Sequence, residues 1–227
     1  MNRREFVSAL TAASFAARED DTAARWSESF PARPPFSFVY GGRPSAALLP
    51  RWKAEVRTSP VDSARTRREV AYTDPATGLE ARAVVTLYRD FPTLEWVLHF
   101  TNTGRTDTPA LADIQALDRT LRAPGGDPLI HYAKGAVCSM DDFMPLRRAL
   151  NQGGHFRLRA GGGRSSSDYL PFFNLETRNG NGVMVGIGWS GEWAAAFTRQ
   201  AGPEFRVRAG MDRTHVRLRP GEQIRTP

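Results

Sequence analysis

Asp141 and Asp142, four histidines and a closely spaced pair of tryptophans are the residues of this 227-residue chain with chemistry to offer. Neighbouring acids point to opposite faces of a strand and diverge by about 100° on a helix. Neither geometry aims two carboxylates across one glycosidic bond, which takes a separation of about 5 Å or more with converging oxygens. Asp141 and Asp142 therefore read as turn or cap residues, or as part of a substrate-proximal loop, and no residue is assigned as catalytic. His99, His131, His155 and His215 show no HxH or HExxH spacing, so no metal site is expected. Cys138 is the single cysteine. It rules out an intramolecular disulfide and a thiolate cluster, and it reads as a small buried hydrophobe. No motif implies a cofactor. Trp189 and Trp193 bracket Ser190-Gly191. An indole can stack on the apolar C–H face of a pyranose, or it can wedge into a core or against a neighbouring domain. Val183, Val185 and Ile187 precede Trp189 at alternate positions, which favours the wedge. Trp52, after Leu48-Leu49, reads as part of the same interface or of a subunit contact.

Strands must position these residues. Tyr169 to Leu175 and Gly182 to Trp189 are two apolar runs separated by Asn179-Gly180-Asn181, a sequence that tolerates φ > 0 and predicts a hairpin. Trp193 to Thr198 continues as a third strand. Leu94, Trp96, Leu98 and Phe100 alternate with Thr93, Glu95, Val97 and His99, the pattern of a half-buried antiparallel strand. Asp74-Pro75-Ala76-Thr77-Gly78 supplies turn chemistry between Glu69 to Thr73 and Glu80 to Tyr88. In Ala110 to Leu121 the alternation slips at Leu117, so a strand is expected to end near Ala116. Phe36 to Tyr40 reads as a strand, Ser45 to Trp52 as a packed loop or short helix, Arg57 to Arg68 as an exposed polar stretch and Val137 to Leu150 as a long excursion. About a dozen short strands and no long helix after Ala17 make this an all-β chain, an antiparallel β-sandwich.

The chain carries a net charge of +7, and all but two of its 31 basic residues are arginine. Many arginines sit at strand spacing, as in His155-Phe156-Arg157-Leu158-Arg159, with Phe156 and Leu158 on one face and the arginines on the other. Such arginines are solvated strand faces. No basic run is interleaved with exposed aromatics in a known module, so nucleic acid is not an expected partner. No run of about 18 apolar residues exists, so no transmembrane helix is expected.

Residues 1–30 are expected to lie outside the sandwich. Arg3-Arg4 followed by Phe6 and a modest apolar run resembles a bacterial twin-arginine export signal, with a linker to follow. Export would place the protein in the periplasm or outside the cell; without it the protein is cytoplasmic.

Five further motifs occur in order. They are Phe36-Ser37-Phe38-Val39-Tyr40-Gly41-Gly42 with Leu48-Leu49, and Asp141-Asp142-Phe143 with Pro145. Next come Ser165-Ser166 leading to Leu170-Pro171-Phe172-Phe173-Asn174-Leu175, and Gly186 to Trp193. Last is Pro220-Gly221-Glu222 with Arg225-Thr226-Pro227. Over residues 31–227 the chain resembles the N-terminal β-sandwich of glycoside hydrolase family 36, the α-galactosidases. The resemblance implies a large super-sandwich of the galactose mutarotase-like kind, followed after residue 227 by a catalytic (β/α)8 barrel that this sequence lacks. It also implies a retaining mechanism in the full protein, an α-galactoside or related oligosaccharide bound through that barrel, and a homo-oligomer. The sandwich itself would be non-catalytic, supporting the barrel and the rim of its site. Two alternatives share the architecture. One is a stand-alone carbohydrate-binding sandwich. The other is a mutarotase-like sugar epimerase using His99 and His131 as acid and base with a glutamate such as Glu176.

Overall fold

The computed structural model describes residues 22–177 and 181–226. The twin-arginine segment, Asn179-Gly180 of the hairpin turn and Pro227 lie outside the described residues. Helix α1 (Thr22–Ser29) is followed by β1 (Ser37–Tyr40), β2 (Arg43–Pro44), α2 (Ser45–Leu48) and a 3-10 turn (Leu49–Arg51). Then come β3 (Lys53–Pro60), β4 (Arg65–Thr73), β5 (Leu79–Tyr88), β6 (Thr93–Asn102), β7 (Leu111–Gln115), β8 (Leu117–Arg122), β9 (Leu129–Ala133) and β10 (Pro145–Ala149). The chain continues through β11 (His155–Arg159), β12 (Phe172–Glu176), β13 (Gly182–Gly186), β14 (Trp193–Arg199), β15 (Glu204–Met211), β16 (His215–Val216) and β17 (Gln223–Arg225).

The strands form four antiparallel sheets around two cores. The sheet β17-β6-β5-β4-β3 and the sheet β16-β7-β1-β2 enclose Phe38, Val70, Tyr72, Val85, Phe100 and Ile114. The sheets β10-β9-β12-β13 and β11-β14-β15-β8 enclose Ile130, Leu158, Phe173, Trp193, Phe197 and Val207. Successive side chains of a strand point to opposite faces, and β11 shows the consequence: it buries Phe156 and Leu158 and exposes His155, Arg157 and Arg159. The expected all-β antiparallel sandwich is what the chain forms.

The two halves are joined where β7 passes into β8. The break falls at Ala116, where the sequence predicts the strand to end, one residue before the alternation slips. Trp96, from β6, packs against both cores, and its indole N–H donates to the Ala116 carbonyl at 2.7 Å. One strand thus switches sheets, and one side chain closes the corner. Upstream, β1 pairs Ser37 with Gln115 but Val39 with Ala112, so three residues of β7 span two of β1. Asp113 takes the left-handed φ of 48° that such a bulge admits.

Several expectations are refined. Ser45 to Trp52 does form a short helix and a 3-10 turn, but Arg57 to Arg68 contains the turn end of a hairpin made by β3 and β4. All of β3 is exposed, so it leaves no apolar periodicity to read. Cys138 is exposed rather than buried, because it sits on the loop after β9 and not in a strand. Residues 23–30 belong to the packed body: Ala23 and Phe30 are buried, and the Phe30 ring meets Trp96 edge-on at 5.6 Å.

This N-terminal segment is held by a buried phenol. The Tyr72 hydroxyl donates to the Phe30 carbonyl at 2.6 Å, and burial pushes its pKa up to about 12. Tyr72→Phe leaves that carbonyl without its donor and is expected to cost about 1–2 kcal/mol in urea unfolding. A cost near zero would show that the tie contributes nothing.

Candidate functional site

The chain leaves β9 at Lys134 and returns to the sheet at Pro145, and the intervening loop forms one wall of a cleft. Its neck is a set of backbone hydrogen bonds. Lys134 N–H donates to Met144 O at 3.0 Å, Gly135 N–H to Asp168 O at 2.9 Å and Ala136 N–H to Ser166 O at 2.8 Å. Gly135 is required at this neck, because a Cβ there would lie 2.1 Å from the Ser166 carbonyl oxygen and 2.5 Å from that of Ser167. Cys138 and Phe143 take left-handed φ values of 66° and 62°. That region is unusual for a phenylalanine, so the surroundings must hold it.

The Phe143 amide donates to the Gly135 carbonyl at 3.3 Å, and Asp141 and Asp142 tie down the rest of the loop. Asp142 accepts from the Val137 amide at 3.0 Å and the Cys138 amide at 2.9 Å. Asp141 accepts from the Lys134 ammonium and the Ser139 hydroxyl. The Lys134 hydrogen bond, then Ser139, holds the Asp141 carboxyl below the usual carboxylate range, and the Val137 amide does the same for Asp142. The two carboxylates serve different partners, as adjacent acids must.

The opposite wall is the solvent face of β11. Arg157 reaches Asp212 at 2.5 Å and Arg159 reaches the same carboxylate at 2.8 Å. The Asp212 side chain is only 4% exposed, which fixes both guanidiniums. Ser167, Asp168 and Tyr169 line the space between the walls, a cleft of about 510 Å³.

The tryptophans are placed differently. Trp193 is fully buried in the second core, and its indole N–H donates to the Ser165 carbonyl at 2.6 Å. It therefore anchors the segment that runs under the cleft and presents no face to solvent. Trp189 is half-buried against the same core, and Gly191 leaves room for it: a Cβ there would lie 2.7 Å from the Trp189 indole nitrogen. Trp52 is buried in the first core, edge-on to Tyr40 at 5.9 Å. The three indoles do not line one surface.

Of the histidine-based alternative, the structure brings two members together. His131 on β9 and Glu176 on the adjacent β12 meet at 2.6 Å on the outer face of their sheet. His99 lies on β6, in the other half, paired in register with Arg82. Burial, and after it the Arg82 and Arg225 guanidiniums, hold the His99 pKa below its ordinary 6.5. The folded chain then binds this proton less readily than the unfolded one, so the stability linked to neutral His99 is present above pH 6.5 and lost as pH falls through the depressed folded pKa. His99→Gln is expected to flatten the loss of urea midpoint between neutral pH and about pH 5. Parallel profiles for the two proteins would contradict this.

Among the described residues, no group of three or more His, Cys, Asp or Glu side chains could hold a metal ion, and no helix is long and apolar enough to cross a membrane. Sequence reading picked out the Asp141-Asp142 wall of the cleft but missed Lys134, Arg157, Arg159 and Tyr169. The two arginines looked like any solvated strand face. Lys134, one of two lysines in an arginine-rich chain, was the available signal.

No protein-family model matches the chain, and no curated protein matches it in sequence. Its fold does match solved structures. The α-galactosidase AgaA of glycoside hydrolase family 36 from Geobacillus stearothermophilus aligns with a TM-score of 0.62 at 19% identity, over 86% of this chain and 29% of that one. A variant of that enzyme in complex with stachyose gives a TM-score of 0.63 at 18% identity with the same coverage. The α-galactosidase from Lactobacillus brevis gives 0.62 at 16% identity, over 86% of this chain and 28% of that one. The chain thus spans under a third of the length of these enzymes. The resemblance carried by the sequence motifs is matched by a likeness of fold: this chain has the architecture of one part of the family 36 α-galactosidases.

Proposed function

We propose that the chain is the non-catalytic β-sandwich of an α-galactosidase-like retaining glycosidase, which supports a catalytic barrel and shapes the rim of its site. The observation that carries this reading is the coverage: nearly the whole sandwich aligns, yet it accounts for 29% of an α-galactosidase. The surface is consistent with a covered face. Among the described residues, six of the nine exposed large apolar ones, Val137, Met140, Phe143, Met144, Phe172 and Met184, fall on the 135–144 loop and the outer faces of β12 and β13. Apolar surface concentrated in this way marks an interaction site. On this reading the substrate is an α-galactoside or related oligosaccharide bound through the barrel, the full protein assembles as a homo-oligomer, and the paired arginines near the N-terminus direct export.

The test is hydrolysis of an aryl α-galactoside. The native protein is expected to cleave it with retention of anomeric configuration, and the 227-residue chain to be inactive. Hydrolysis by the chain alone, or no α-galactosidase activity in the native protein, overturns the reading.

A further inference from the structure

The charge pattern of the cleft selects a class of ligand. Its cations are paired within the protein, Lys134 with Asp141, Arg157 with Asp212, and Arg159 with Asp212 and, at 3.6 Å, with Glu192, while Asp142 accepts from two backbone amides. Asp168 likewise accepts from the Gly161 amide at 2.8 Å. Cations already matched to carboxylates give an anion little net attraction, and the carboxylates are not gathered as metal ligands. What remains at both walls is unused hydrogen-bonding capacity. A guanidinium has five N–H groups and an ammonium three, while each carboxylate accepts at about four lone-pair positions. Neutral hydroxyl groups can donate to the carboxylates and accept from the cations at once, without disturbing the charge balance. A ligand carrying several such groups on neighbouring carbons is a saccharide.

The dimensions agree. A volume of about 510 Å³ falls within the range of roughly 300–1,000 Å³ typical of small-molecule sites. The walls are preorganised, since the loop is pinned by Asp142 and the arginines by Asp212. Tyr169, half-buried and set edge-on against Tyr132 at 5.7 Å, adds a rigid ring and a hydroxyl to the lining.

We propose that the cleft between the 135–144 loop and β11 is a binding site for a neutral saccharide, held between the Lys134–Asp141 pair and Arg159. The site uses only residues of this chain and goes beyond the role proposed above.

Cys138 makes the test specific. It is the one cysteine of the chain, it is exposed, and its backbone amide is held by an acid that lines the cleft. An environment-sensitive fluorophore on Cys138 is titrated with raffinose, with cellobiose as a second stereochemistry, and with inorganic phosphate at constant ionic strength. At least one saccharide is expected to give a saturable response, weakened at least tenfold in both Arg159→Gln and Lys134→Met, while phosphate gives none. Unchanged thermal midpoints establish that the variants fold; if one does not, the other carries the comparison. Lack of saturation with both saccharides, equal affinity in the variants, or saturable binding of phosphate in preference to saccharide overturns the assignment. The fluorophore reports on the cleft and the hydrolysis assay on catalysis, so the two readings fail separately.

Discussion

Trp193→Ala is expected to remove about 3–5 kcal/mol of stability, the cost of emptying a fully buried indole site. The loss has two sources. The side chain fills space in the second core, the cluster that includes Leu158, Phe173 and Phe197, and its N–H satisfies the Ser165 carbonyl at 2.6 Å. Trp193→Phe keeps most of the volume and deletes the donor, so it should cost about 1–3 kcal/mol. Urea unfolding followed by far-ultraviolet circular dichroism reads both. Trp189→Ala, at a half-buried position, should cost less than Trp193→Ala. If Trp193→Ala were as stable as the parent protein, Trp193 would not anchor the core or the segment beneath the cleft.

Gly210→Ala is expected to cost about 3 kcal/mol, at the upper end of the usual penalty for overpacking. Gly210 lies on β15 where that strand passes under β7. A Cβ at this position would sit 2.4 Å from the Ile114 carbonyl oxygen, 2.9 Å from the Gln115 Cα and 3.1 Å from the Ala116 nitrogen. All three are backbone atoms, so no flexible side chain can yield. They also lie at the break between β7 and β8, the corner that Trp96 closes. The substitution therefore pushes apart the two halves of the fold. Gly186→Ala is the matching control: it is also a strand glycine, but nothing lies within 4 Å of its Cβ, and it should stay within about 0.5 kcal/mol of the parent. Equal melting of the two variants would show that the seam tolerates a methyl group.

Local alternation made much of the fold legible. In β6, Leu98 and Phe100 are buried while Thr93 and Glu95 are exposed, as the sequence pattern requires. The hairpin of β12 and β13 pairs Phe172 with Gly186 and Glu176 with Gly182, although both strands are shorter than the apolar runs that announced them. The third strand of that region, β14, leaves for the opposite sheet, which no local pattern could specify. The slip at Leu117 was visible as an irregularity, but its meaning, a change of sheet at Ala116, involves a tryptophan 20 residues upstream of that break. Exposed β3 was unreadable because a strand with no buried face has no apolar period.

The cleft was harder to read for a related reason. Its walls come from residues 134–142, 157–159 and 167–169, and its charge balance is completed by Asp212. Adjacent acids drew notice to Asp141 and Asp142, yet their roles as loop ties depend on amides and a lysine that only the folded loop brings near. Cys138 shows the same dependence, since its exposure follows from its place on that loop. The motif Pro220-Gly221-Glu222 drew notice only through the family resemblance, and its structural use is local: Glu222 accepts from the Arg219 amide at 2.8 Å and the chain then adds β17 to the edge of β6.

The intact mass of the native protein, purified from its source, tests the central claim most directly. The account, in which this sandwich belongs to a larger glycosidase, expects a mass several-fold above the 25.2 kDa of these 227 residues. A native mass at or slightly below 25.2 kDa would contradict it and leave the sandwich to act on its own.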